Sequence, residues 1–138
     1  MKNNILFSLS VVVILIMTLS ACNFARKDYM NKSEYDTIIN LNPKNKNADL
    51  VIYYFDGDCS LCIAKVRYIE KVLKNNRYVK LLFIAKTLNP DILKFNLNNI
   101  KLKSYVFIDK NDFFNNKLNM NEVIRLNMDR SQSVYEIK

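Results

Sequence analysis

Cys59 and Cys62, three residues apart in Cys59-Ser60-Leu61-Cys62, are the strongest nucleophiles that this chain can bring together. Two thiols at that spacing, on the first turn of a helix, return to the same side. The helix end offers unpaired N–H groups and a partial positive charge, which stabilise a thiolate at Cys59 and make it the attacking group. Cys62, one turn on, is placed to attack a mixed disulfide and release the substrate. Composition removes most other chemistry. None of the 138 residues is His, which excludes Ser-His-Asp and Cys-His catalysis, a histidine metal ligand and an imidazole switch. With a single Gly, a glycine-rich phosphate cradle is excluded too. Zinc needs about four Cys, His or carboxylate ligands. The chain has one further Cys, Cys22, so a second pair is lacking and neither metal nor cofactor is expected.

The elements that must hold the pair are legible around it. Leu50-Val51-Ile52-Tyr53-Tyr54-Phe55 is the unbroken β-branched and aromatic run of a strand buried on both faces in a largely parallel sheet. Asp56-Gly57-Asp58 follows as a sharp turn. Residues 59–75 then read as a helix with Cys62, Val66, Ile69 and Leu73 on one face and Ile63, Tyr68 and Val72 beside it. Lys65, Glu70, Lys71 and Lys74 are expected to face water. Residues 78–85 read as a second strand, and Pro90 opens a second helix carrying Ile92, Leu93, Phe95 and Leu97. Residues 105–108 form a third strand, 110–112 a turn, and Phe113-Phe114 begin the return strand of a hairpin. A helical piece over 120–126 and a strand over 134–137 complete the reading. This order sets the Cys pair where a strand's C-terminal end meets a helix N-terminus, the usual place of α/β active sites. Asp56 is either a turn carboxylate or a proton acceptor for Cys62, and Asp56 and Asp58 together oppose a Cys59 thiolate.

The N-terminus carries an address. Lys2 precedes residues 5–19, which are apolar except for Ser8, Ser10 and Thr18. The run is shorter than the ~20 residues of a spanning helix and reads as a secretory signal. Leu19-Ser20-Ala21-Cys22 resembles the lipobox of bacterial lipoproteins, which implies removal of residues 1–21, a lipidated Cys22, and a membrane-anchored protein facing the periplasm or cell exterior. Residues 22–48, rich in Asn and Lys and carrying Pro43, are expected to be a tether. Their one apolar patch, Tyr35, Ile38 and Ile39, is either a helical turn capped by Ser33 and Asp36 or an edge strand. Without residues 1–21 the chain keeps 20 basic against 13 acidic residues. They are scattered, so no nucleic acid is expected. Arg26, Lys27, Lys32, Lys44 and Lys46 of the tether can lie against anionic headgroups.

The strand, Asp56-Gly57-Asp58-Cys59-Ser60-Leu61-Cys62 and the helix together resemble the thioredoxin-like superfamily. The local Asp-Gly-Asp-Cys-x-x-Cys is similar to the DCC family of thiol-disulfide oxidoreductases. Ser104-Tyr105-Val106-Phe107-Ile108-Asp109-Lys110-Asn111-Asp112 looks like the third strand and turn of redoxin-like envelope lipoproteins. The resemblance spans residues 49–115. It implies an α/β, thioredoxin-like domain over residues 49–138, a central mixed sheet flanked by helices. It also implies disulfide exchange with envelope proteins and with a redox partner. Such proteins carry a cis-proline ahead of the third strand, facing the cysteines, whereas the only prolines of this chain are Pro43 and Pro90. The alignment puts Lys103 at the proline's approximate place, with Ser104 next to it, as the expected substrate-binding positions. Gly57-Asp58 stands where the usual Trp precedes the first Cys. The rival reading is a non-catalytic envelope lipoprotein that uses the fold as a binding module, with a purely structural Cys59–Cys62 bond.

Overall fold

A computed structural model describes residues 28–137; the expected signal peptide and Cys22 lie outside the described residues. Along the chain come β1 (Asp28–Tyr29), α1 (Lys32–Asn40), a 3-10 turn (Pro43–Asn45), β2 (Asp49–Asp56), α2 (Ser60–Leu73), β3 (Val79–Lys86), α3 (Pro90–Asn99), β4 (Val106–Ile108), β5 (Val123–Leu126) and β6 (Ser131–Val134). They build one six-stranded sheet in the order β1-β6-β5-β2-β3-β4. β2 pairs parallel with β3 and antiparallel with β5, and β4 extends the sheet parallel to β3. This is the mixed, helix-flanked sheet that the resemblance implies.

The uninterrupted apolar run of β2 follows from its place in the middle. Val51, Tyr53 and Phe55 point to one face and pack with Ile63, Val66 and Ile69 of α2 and Leu93 of α3. Leu50, Ile52 and Tyr54 point to the other, with Met30, Ile38 of α1, Phe114 and Leu118. Alternate residues thus feed two cores, and neither face can be polar. The register runs from Asp49 opposite Val79 to Asp56 opposite Lys86, so β2 and β3 end level and the loops after them meet.

Four expectations are corrected. The folded unit starts before Asp49, since Met30 and Ile38 of the expected tether are buried and β1 pairs with β6. Asn31, not Ser33, caps α1, its Oδ1 accepting from the Glu34 N–H at 2.9 Å. Residues 113–118 form turns in place of a return strand: the buried Asp109 carboxylate accepts the N–H groups of Phe113 and Phe114, each at 3.0 Å, and this holds the chain in a coil. The hairpin is instead β5–β6, so residues expected to be helical form the strand that covers the open edge of β2. An eight-residue buried strand with one side unpaired would leave a row of N–H and C=O groups without partners, and that demand overrides local propensity. Among the described residues no helix is long and apolar enough to cross a membrane.

Candidate active site at the ends of β2 and β3

Cys59 is the N-cap of α2, extended at φ −98° and ψ 113°, with its Sγ accepting from the Cys62 N–H at 3.3 Å. Its carbonyl accepts the Ile63 N–H at 3.1 Å, which closes the first turn. A sulfur therefore takes the position where a Ser or Asp oxygen usually satisfies the orphan donors of a helix. Cys59 and Cys62 form a disulfide with Cα atoms 5.3 Å apart. Their exposure differs: Cys59 is half-buried, while Cys62 is 9% exposed and faces the core under α2. The intervening Leu61 is 83% exposed, an apolar side chain left in solvent beside the more accessible sulfur.

The loop that carries Cys59 is fixed by hydrogen bonds to its neighbours. Asp56 Oδ1 accepts the Asp58 N–H at 2.9 Å, an Asx turn, so the geometry gives Asp56 the turn role. Gly57 donates to the Lys86 carbonyl at 2.7 Å. A Cβ at this position would stand 3.0 Å from both Leu93 Cδ2 and Thr87 Cβ, so glycine is required by close approach to the neighbouring loop, not by an unusual φ. The Asp58 carboxylate reaches across, accepting from the Leu88 N–H at 2.9 Å and the Thr87 hydroxyl at 2.7 Å. These bonds, the Leu88 N–H first and the Thr87 hydroxyl second, hold its pKa below the usual 3.8. The clamp is therefore formed above pH 3.8 and lost as pH falls through the depressed value.

Asp58→Asn removes the negative neighbour of Cys59 and weakens the clamp. Because the site is exposed, the stability loss should be about 1 kcal/mol by urea denaturation. Alkylation of reduced Cys59 near neutral pH should become faster, since the charge that opposes its thiolate is gone. An unchanged rate would mean that Asp58 serves only the loop.

Behind the pair, Tyr53 is buried under α2, and burial pushes its pKa up to about 12, so it keeps its proton at neutral pH. Lys65 Nζ lies 5.0 Å from the centre of the Tyr53 ring and donates to the Asn121 carbonyl at 3.3 Å. Asn121, at φ 65°, donates its N–H to the Tyr54 carbonyl at 2.7 Å and accepts the Asp56 N–H on Oδ1 at 3.2 Å. It thereby carries the β2–β5 ladder up to the level of the cysteine loop. Sequence reasoning gave Asn121 no role. The one signal it offers is that Asn tolerates the left-handed region better than most residues.

Lys103 and Ser104 are not brought to the cysteines. Their N–H groups donate to Glu70 Oε1 at 2.9 and 2.6 Å, on the third turn of α2. Val106 pairs with Phe83, which sets Lys103 near the start of β3, about 20 Å along the strand direction from Asp56 at ~3.3 Å per residue. The strand flanking β2 on the side opposite β3 is β5, so the place expected of Lys103 falls to Asn121 and Glu122. Glu70, expected in water, is 5% exposed. Among the described residues no group of three Cys, Asp or Glu stands together as a metal centre requires.

No protein-family model matches the chain, and the search of curated proteins finds no match. Solved structures do resemble it. One is a secreted Mycobacterium tuberculosis disulfide oxidoreductase homologous to E. coli DsbE, with a TM-score of 0.55 and 13% identity over 67% of this chain and 72% of that one. Another is the thioredoxin domain of a thiol-disulfide oxidoreductase from Bacteroides vulgatus, with a TM-score of 0.56 and 12% identity over 70% of this chain and 74% of that one. The chain has the thioredoxin-like fold.

Proposed function

We propose that this protein is a membrane-tethered thiol-disulfide oxidoreductase acting on envelope proteins. The observation that carries the reading is the asymmetry of the pair: a half-exposed sulfur capping a helix N-terminus, bonded to a buried one a turn later. In the reducing direction the Cys59 thiolate attacks one sulfur of a substrate disulfide, and the other sulfur leaves as a thiolate. Cys62, losing its proton to solvent, then attacks Cys59 Sγ. The intermolecular bond breaks, the second substrate thiolate is released, and the enzyme holds the 59–62 disulfide. A dithiol partner must reduce that bond for another cycle, and the oxidising direction is the same sequence reversed. The neighbours' descriptions as oxidoreductases support the redox reading. The Leu19-Ser20-Ala21-Cys22 run supports the tether.

The equilibrium potential of the 59–62 pair in the purified mature chain tests the activity. An exchanging pair should equilibrate with glutathione or dithiothreitol buffers above about −300 mV, while a value below that marks an inert structural bond. The tether is tested separately. Cys22→Ala should abolish labelling by radioactive palmitate, and unchanged labelling would overturn the lipoprotein assignment.

A further inference from the structure

Cys62 must lose its proton before it can attack, yet it is 9% exposed and packs into the core under α2, where burial disfavours a thiolate. The positive end of α2 lies a turn away, at Cys59. Most of the charged groups at this end of the sheet are engaged elsewhere. Asp56 and Lys86 alternate with Tyr54 and Ile84, on the face of the sheet away from α2, and there Asp56 accepts the Asp58 N–H while Lys86 pairs with Asp112 at 2.9 Å. Asp58 is turned to Thr87 and Leu88, Glu122 accepts from the Asn119 amide at 2.8 Å, and Asp91 of α3 pairs with Lys94 at 3.9 Å. Tyr53, from β2, keeps its proton.

Lys65 is placed differently. It follows Cys62 by three residues on α2, which makes the two side chains neighbours with Cβ atoms ~5–6 Å apart. Long side chains on a helix lean toward its N-terminus, here the cysteine end. The hydrogen bonds confirm that direction: Lys65 Nζ donates to the Asn121 carbonyl at 3.3 Å, Asn121 Oδ1 accepts the Asp56 N–H at 3.2 Å, and the Asp56 carbonyl accepts the Cys59 N–H at 3.3 Å. Three bonds thus link the ammonium to the backbone of the attacking cysteine. Its other contact is the Tyr53 ring, 5.0 Å away at the centroid, and Tyr53 shares one core with Cys62. Neither a carbonyl nor an aromatic face cancels a charge. Glu122 and exposed Glu136 line the same cleft, but among the described residues Lys65 makes no ion pair. An uncancelled positive charge is therefore held about one turn from a buried thiol.

On the exchange reading above, on which this rests, we propose that the Lys65 ammonium supports the Cys62 thiolate and so makes Cys62 the nucleophile of the resolving step. In that step Cys62 gives its proton to water and its thiolate attacks Cys59 Sγ. The 59–62 bond forms as the bond from Cys59 to the substrate breaks, and the electron pair of that bond leaves with the substrate sulfur. Lys65 moves no proton and acts as a fixed charge. In the reverse direction Cys62 is the leaving group, and the same charge favours its departure, because a more stable thiolate leaves faster. Cys59, six residues from Lys65 and supported by the helix end, depends on it less.

The test follows the two molecules of thiopyridone released when the reduced mature chain reacts with dithiodipyridine, an uncharged disulfide. The first release, by Cys59, quickens with reagent concentration. The second, by Cys62 attacking the mixed disulfide, does not, and its rate against pH reports the Cys62 thiol. Lys65→Met keeps an apolar stem and drops the charge. The midpoint of the second phase should then rise by about one pH unit, the effect of unit charges about 10 Å apart at an effective ε of about 20. Near neutral pH that phase should slow about threefold, a roughly tenfold smaller thiolate fraction being partly offset by a more basic nucleophile. Above both midpoints the variant should be no slower than the native chain. Lys65→Arg should keep the native profile, and so should Lys71→Met, which removes an exposed charge nine residues beyond Cys62 on the same helix. Slowing of Lys65→Met by one factor at every pH, or an Arg variant no better than Met, would make Lys65 part of the scaffold and overturn the proposal. Equal slowing in Lys71→Met would assign the effect to net charge and overturn it as well. A native chain with no concentration-independent second release would instead overturn the exchange reading itself, and this role of Lys65 with it.

Discussion

Cys62→Ala is expected to trap mixed disulfides between Cys59 and envelope proteins, and Cys59→Ala to trap few. The prediction follows from what each sulfur can reach. Cys59 is accessible beside exposed Leu61, and after reduction its thiolate can accept the Cys62 N–H at the positive end of α2. With Cys62 absent the first exchange still occurs, but no internal thiol remains to displace the substrate, so the intermediate accumulates. In Cys59→Ala the remaining thiol faces the core at 9% exposure and has no route to an incoming disulfide. Non-reducing gels of membranes expressing either variant separate the cases: bands that disappear on reduction with Cys62→Ala and not with Cys59→Ala support exchange. A structural cross-link gives a different result. Closing a loop of four residues is worth about 2 kcal/mol of unfolded-state entropy in the chain-entropy model, whichever cysteine is removed. Both variants would then lose that stability equally, and neither would collect partners.

What the sequence revealed of this site came from local demands, and what it concealed came from distant ones. Leu50 to Phe55 was readable because a strand buried on both faces has to be apolar at every position, and Pro90 because it can open a helix but not continue one. The Cys pair was placed correctly on the same ground, since the turn, the cap and the helix are all within a few residues of it. The clamp was not readable. Asp58 finds Leu88 only because β2 and β3 run parallel in a register that ends them level. Lys103 was misplaced because the run Val106 to Ile108 looks the same beside β3 or beside β2, and its neighbour alone decides whether the residues before it face the cysteines. Residues 123–126 were missed for a related reason, their state being set by the edge of a strand seventy residues earlier. Glu70 is a different kind of error. It lies four residues after Val66 and three before Leu73, so its spacing put it on the buried face. Its charge argues for solvent while its spacing argues for the core, and the N–H groups of Lys103 and Ser104 are what let the spacing prevail.

Replacing Glu70 should be the most costly single change at the remote end of the fold, and the contributions to that cost can be separated. Arg67 is 47% exposed, so its ion pair with Glu70 contributes at most about 1 kcal/mol. The two N–H groups of Lys103 and Ser104, held against a 7% exposed carboxylate, contribute more, because each loses a charged acceptor where water does not readily replace it. Glu70→Ala is therefore expected to lose about 3 kcal/mol, Glu70→Gln about 1 because its amide oxygen can still accept, and Arg67→Ala less than 1. Urea midpoints of the three variants check the order, and an Arg67→Ala loss as large as that of Glu70→Ala would reverse the assignment. Acid gives the same answer by another route. Burial pushes the Glu70 pKa up, but hydrogen bonds from Ser104, then Lys103 and Arg67, outweigh it and hold the carboxyl below its usual 4.5. The unfolded chain then takes up this proton first as pH falls. The stabilisation is present in full above pH 4.5 and is lost as pH drops through the depressed folded value. The gap between the native chain and Glu70→Gln should accordingly narrow below pH 4.5. Above that pH, Cys59 in folded Glu70→Gln should alkylate at the native rate after reduction, because Glu70 holds the chain ahead of β4 and the cysteine loop is held by Asp58 at the other end of the sheet.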